Sequence, residues 1–304
     1  MRGGPTIDEA IACIPSWRQA TSVRVAPLAG GITNSNYRVD VDGHPFVLRI
    51  WAAEAALLGI DRMREHRCAV TASRCGVAPE VVHFLPDVGI TVTRFVSGRS
   101  LPPGTAVSPD TLARVVRSMR RYHDGPAFDG TFSPFDTLEG YLRTARRRRA
   151  PLPDTIDELY AQVRDIEAAV QTGRASPRPC HNDLWGPNLI DDGTEVRIVD
   201  WEYAGMGDVC FDLANFAMNH STADAHDHAL LETYFGGVPP HMAARLKLLK
   251  IVAELRDAMW YLVALSVSIE TAGFVQRAGI HFERCRNALA DPRVPGWLDQ
   301  AARA

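Results

Sequence analysis

The hydrophobic positions of the first hundred residues fall in short runs rich in β-branched and aromatic side chains: Ser22 to Leu28, Asn36 to Val41 and Pro45 to Trp51. Such runs predict strands, and Asp42-Gly43 between the last two predicts a tight hairpin. Before them, Ile7, Ala10 and Ile11 follow Thr6 in the pattern of a short amphipathic helix with a capping hydroxyl. From Glu54 to Arg74 the apolar positions change to three and four spacing, with Met63, Ala69, Val70 and Ala72 on a helix stopped at Gly76. Two further apolar runs, Glu80 to Leu85 and Gly89 to Val96, are separated by Pro86-Asp87 and ended by Ser97-Gly98. Beyond Leu101 the pattern is helical, including a late helix from Leu246 to Val267, except for a β-like interruption between Pro177 and Val199. This predicts an α+β chain with a small β-rich lobe over residues 1–96 and a larger helical lobe over 97–304, joined near Arg94 to Arg99.

Composition narrows the function. With 304 residues, 46% hydrophobic and 23% charged, the chain has enough apolar content for a substantial core. A formal charge of −3 provides no global field toward nucleic acid or an anionic membrane. Among 33 basic residues only Lys247 and Lys250 are lysines, so any cation needed earlier must be arginine. Six cysteines without a C-x-x-C pair predict reduced thiols rather than a zinc ribbon or redox dithiol. Met1 to Ala12 lacks a secretion-signal pattern and no run approaches about 18 apolar residues, so a cytoplasmic protein without a membrane span is expected. The run Arg146 to Arg149 reads as the basic end of a helix, and His220, His226 and His228 lack a companion ligand cluster. Oligomeric state is open.

The segment with chemical content is His181-Asn182-Asp183-Leu184-Trp185-Gly186-Pro187-Asn188, followed about a dozen residues later by Asp200-Trp201-Glu202-Tyr203 at the end of an apolar strand. A carboxylate that accepts a hydroxyl proton, with an amide oxygen and a second carboxylate holding Mg²⁺ against phosphates, requires this spacing in kinase catalytic loops. With Asp200 to Gly205 and Phe211-Asp212-Leu213-Ala214-Asn215, the chain resembles the choline/ethanolamine kinase branch of the aminoglycoside phosphotransferase superfamily. The resemblance spans nearly the whole chain. It implies a protein-kinase-like bilobal fold, ATP and Mg²⁺ as cofactors, Asp183 as catalytic base, and Asn188 and Asp200 as metal ligands.

It further places the glycine-containing connection Gly30, Gly31, Thr33, Asn34, Ser35 and Asn36 over the nucleotide phosphates, although a full G-x-G-x-x-G is absent. Arg49 stands at the phosphate-pairing cation, with Glu65 as the carboxylate that orients it and Glu54 as a rival. Adenine is expected against backbone groups of the hinge near Thr93-Arg94-Phe95-Val96, Thr93 and Phe95 among them. Trp185, Glu202, Tyr203 and Trp260 are expected around the acceptor, where aromatic faces and a carboxylate suit a cationic amino alcohol. Two alternatives remain open: an aminoglycoside kinase, for which Asp224 to Asp227 offers an acidic surface, and a non-catalytic nucleotide-binding module. The segment Ser268 to Arg277 retains little of the acidic and aromatic character usual in choline kinase relatives, which leaves the acceptor itself undecided.

Overall fold

A computed structural model describes residues 4–28, 34–52, 55–172, 176–220, 223–265 and 272–303. Helix α1 (Ile7–Ala12) begins with a capping box, in which the Thr6 hydroxyl and the Glu9 carboxylate satisfy each other's backbone N–H groups. Strands β1 (Val23–Pro27), β2 (Asn34–Val41), β3 (His44–Trp51), β4 (Val81–Leu85) and β5 (Ile90–Arg94) form an antiparallel sheet in the order β1-β2-β3-β5-β4. Asp42 (φ 49°) and Gly43 (φ 84°) make the hairpin turn between β2 and β3. One sheet face packs Val39, Leu48, Ile90 and Val92 against Ile14 and Trp17.

Helix α2 (Arg62–Arg74) starts later than its apolar spacing suggests, because Asp61 caps it by accepting from the Met63 and Arg64 N–H groups. Ahead of it, Ala55–Leu58 form a 3₁₀ turn broken by Gly59 (φ 77°). Leu58, Cys68, Ala72 and Val77 are buried in the core of the helical lobe rather than in that of the sheet. The segment thus binds the lobes together and carries its polar face across the cleft between them.

The helical lobe opens with β6 (Arg99–Ser100) and continues through α3 (Pro109–His123), α4 (Pro134–Arg148) and α5 (Ile156–Thr172). Arg149 ends α4 in a left-handed conformation (φ 53°), so the arginine run closes that helix. Short strands β7 (Arg178–Cys180), β8 (Leu189–Asp191), β9 (Val196–Ile198) and β10 (Gly205–Gly207) follow; β6 pairs with β8, β8 with β9, and β7 with β10. Helices α6 (Val209–His220), α7 (Asp224–Phe235), α8 (Pro240–Ala264), α9 (Ala272–Leu289) and α10 (Val294–Ala301) complete the chain. The 25-residue α8, started by Pro240 at a position needing no N–H, is the buried axis against which α4, α6, α9 and α10 pack. All six cysteines are free thiols, four of them buried. Among the described residues no helix is long and apolar enough to cross a membrane.

Candidate active site

The loop between β7 and β8 is held from below by one carboxylate. Asp212, wholly buried on α6, accepts from the N–H groups of His181 (2.8 Å) and Asn182 (2.5 Å), the Tyr122 hydroxyl (2.7 Å) and His123 Nε2 (3.0 Å). Burial alone would raise its carboxyl, but His123 and these donors bring it below the usual carboxylate range. One helical turn on, Asn215 Oδ1 accepts from the Leu184 N–H at 2.5 Å. His181 Nδ1 accepts from the Asp183 N–H (3.2 Å), so its Nε2 carries the proton donated to the Val199 carbonyl (3.0 Å). His181 is therefore structural, tying the loop to the segment leading into Asp200. At Gly186 an added Cβ would lie 2.4 Å from the Leu101 carbonyl oxygen, so only glycine permits the loop's approach to the segment after β6.

Asp183 emerges from this loop between two donors. Asn188 Nδ2 lies 3.2 Å from its Oδ2 and 3.0 Å from its backbone carbonyl, while Arg256 Nη2 lies 2.8 Å from its Oδ1. Arg256, on α8 and almost fully buried, also reaches Asp257 Oδ1 (2.8 Å) and the Asn182 carbonyl. Burial raises the Asp183 carboxyl above its ordinary value despite the opposing Arg256 charge. The sequence reading did not find Arg256; its only local signal is a charged pair, Arg256-Asp257, in the apolar second half of α8.

Across the cleft, Arg49 Nη1 contacts Glu65 Oε1 at 2.7 Å and Asp200 Oδ1 at 2.8 Å. Glu65 is thus the carboxylate that meets Arg49, while Glu54 lies outside the described residues. Arg62, also missed, contacts Glu65 (2.6 Å), Glu202 (3.2 Å) and Asn34 Oδ1 (2.7 Å). Burial opposes the Arg49 charge, yet Asp200, Glu65 and Glu202 push its pKa further up. Burial, then the neighbouring Asp200 and Glu65 charges, push the Glu202 carboxyl well above its ordinary value. Glu202, expected beside the acceptor, lines the same cavity as Asp183, and its carboxylate meets Arg62; Asp200 before it is in a left-handed conformation (φ 69°). Glu65, Asp200 and Glu202 each offer an oxygen within 4.8 Å of the others.

These groups line one cavity of about 820 Å³. Asn36, Arg49 and Thr93 enter it from the sheet, and Asp183, Trp185 and Trp260 from the helical lobe. Asn34 is buried beside Arg62, while Ser35, exposed between Asn34 and Asn36, is not among the lining residues, as strand alternation dictates. Gly30, Gly31 and Thr33 lie outside the described residues. At the expected hinge Thr93, Arg94, Phe95 and Val96 all line the cavity; the Phe95 N–H is bonded to the Pro45 carbonyl (3.2 Å) and the Arg94 N–H to the Glu80 carbonyl (2.9 Å). Val96, which lines the cavity, is the first residue past that pairing. Trp260 Nε1 donates to the Tyr203 hydroxyl at 2.8 Å, which packs Tyr203 into the buried wall behind Trp260. The acidic stretch on α7 is not an open polycation surface: Asp224 pairs with Lys247 and Arg293, and Asp227 with Lys247 and Lys250.

Residues 24–246 match the model of a family described as phosphotransferase enzyme family. The protein LicA of Haemophilus influenzae is 28% identical over 243 residues, 76% of this chain and 88% of that protein. A choline/ethanolamine kinase family protein from Mesorhizobium loti has a similar structure, with a TM-score of 0.80, 27% identity and 97% of each chain covered. Choline kinase LicA from Streptococcus pneumoniae shares the fold at a TM-score of 0.75 with 20% identity, covering 90% of this chain and 95% of that one.

Proposed function

The chain belongs to the phosphotransferase enzyme family, and from that premise we propose that it transfers the γ-phosphoryl group of ATP to the hydroxyl of a small amino alcohol of the choline or ethanolamine kind. The observation that carries this reading is Asp183, a carboxylate held by Asn188 and Arg256 in a cavity with the Arg49–Glu65–Asp200 ion cluster on one side and Trp185 and Trp260 on the other. The 27% identity to the Mesorhizobium loti protein supports the acceptor class.

In the proposed reaction the acceptor hydroxyl sits against Asp183, which takes its proton as the oxygen attacks the γ-phosphorus. The bond to the β-phosphate oxygen breaks and ADP leaves with its electron pair. Arg49, oriented by Glu65, offsets phosphate charge. The donor set fits Mg²⁺, a hard cation that takes oxygens: Asn188 spends its amide N–H groups on Asp183, leaving its amide oxygen as a donor, and Asp200 supplies a carboxylate. Bound there, Mg²⁺ would neutralise phosphate charge. Trp185 and Trp260 offer aromatic faces to an ammonium head group, worth roughly 0.5–2 kcal/mol each.

Initial rates of ADP release, with product mass, across choline, ethanolamine and several aminoglycosides test the acceptor class. Turnover of the amino alcohols supports it, whereas turnover of aminoglycosides alone sinks it. Arg49→Ala is expected to weaken ATP use by roughly 10- to 100-fold in kcat/KM, since a charge-assisted contact to phosphate is lost and Asp200 loses its arginine partner while Glu65 keeps only Arg62; titrating ATP at saturating acceptor checks this. The rate is also expected to fall toward acid pH. A base must be deprotonated, and because burial raises the Asp183 carboxyl, kcat should decline at a higher pH than an ordinary carboxylate would produce. A flat acid limb down to the ordinary carboxylate range would contradict that assignment.

A further inference from the structure

Five carboxylates line the cavity, and each has an arginine partner: Glu65 and Asp200 meet Arg49, Glu202 meets Arg62, and Asp183 and Asp257 share Arg256. The cavity's cations are not balanced in the same way. Arg277 and Arg284 line it from α9, are exposed, and form no ion pair among the described residues. They lie with His281 at positions i, i+4 and i+7, which share one helix face. That face meets the aromatic wall: Arg277 lies 5.9 Å over the Tyr261 ring, and His281, itself 2.6 Å from Glu254, stacks on the same ring at 5.7 Å. Tyr261 stands edge-on to Trp260, with ring centroids 5.2 Å apart.

A purely cationic acceptor seated against Trp260 would therefore meet carboxylates already paired with arginine and two guanidinium groups that have no carboxylate partner among the described residues. A guanidinium presents a planar fork that matches a carboxylate or phosphate. We propose that the physiological acceptor is zwitterionic, carrying an anionic group beside its hydroxyl and ammonium, and that Arg277 and Arg284 bind that group. The inference rests on the amino-alcohol kinase reading and specifies its substrate class.

The test compares kcat/KM for matched acceptors: ethanolamine with serine, choline with carnitine for a carboxylate, and choline with glycerophosphocholine for a phosphate. In the native protein at least one anionic member is expected to exceed its plain partner by tenfold or more, and the pair in which it does so identifies the anion. The double variant Arg277→Gln/Arg284→Gln is expected to reduce that ratio at least tenfold. Equal or better use of the plain partner in every pair by the native protein overturns this inference while leaving the kinase reading intact, as does a ratio unchanged in the double variant. Transfer to no member of the panel overturns both.

Discussion

Replacing Asp183 with Asn is expected to lower kcat by about 10³-fold, within the range for loss of a positioned general base, while leaving the KM for ATP within about twofold. The volume at the site is conserved, and Asp257 remains as a partner for Arg256. Because Arg256 and Asn188 both donate to the two carboxylate oxygens, an amide there must turn its NH₂ toward one of them, so one hydrogen bond is lost with the base. ADP release at saturating choline or ethanolamine, alongside calorimetric ATP binding, separates the two effects. A variant retaining a tenth or more of the native kcat would show that Asp183 is not the base.

The second large effect lies beneath the loop. Asp212→Ala is expected to destabilise the protein by roughly 3–5 kcal/mol and lower Tm by on the order of 10 °C. Four donors lose their acceptor at once in a fully buried place: two backbone N–H groups, the Tyr122 hydroxyl and His123. The folded carboxyl is held below its unfolded value, so its stabilising contribution is present above the unfolded carboxylate pKa and is lost as pH falls through the folded one. The stability difference between native protein and variant should consequently narrow on acidification. A Tm change within a degree or two at neutral pH would contradict the role assigned to Asp212.

The parts of this molecule that were legible in the sequence are those written in contiguous residues. Thr6, Asp42-Gly43 and the spacing of His181, Asp183, Asn188 and Asp200 are local patterns: Thr6 caps a helix, Asp42-Gly43 turns a hairpin, and Asp183, Asn188 and Asp200 line one cavity. Glu65 was legible because one strand and one helix separate it from Arg49 by only 16 residues. Arg256 was not, since its meaning comes from an approach across 73 residues that only the packing of α8 against α6 creates. Arg62 likewise looks like an ordinary first-turn helix residue until the fold sets Glu202 beside it, 140 residues away. At the hinge, the chain gave no sign that Pro45 and Glu80 would consume the Phe95 and Arg94 N–H groups, because strand register is a tertiary property.

The most direct test of the account is a phosphorus NMR time course of native protein with Mg-ATP and an amino-alcohol acceptor. The account predicts a new phosphomonoester resonance that grows in one-to-one proportion with ADP and is absent with Asp183→Asn. ADP accompanied only by inorganic phosphate, or bound ATP that stays intact with every amino alcohol, would contradict it.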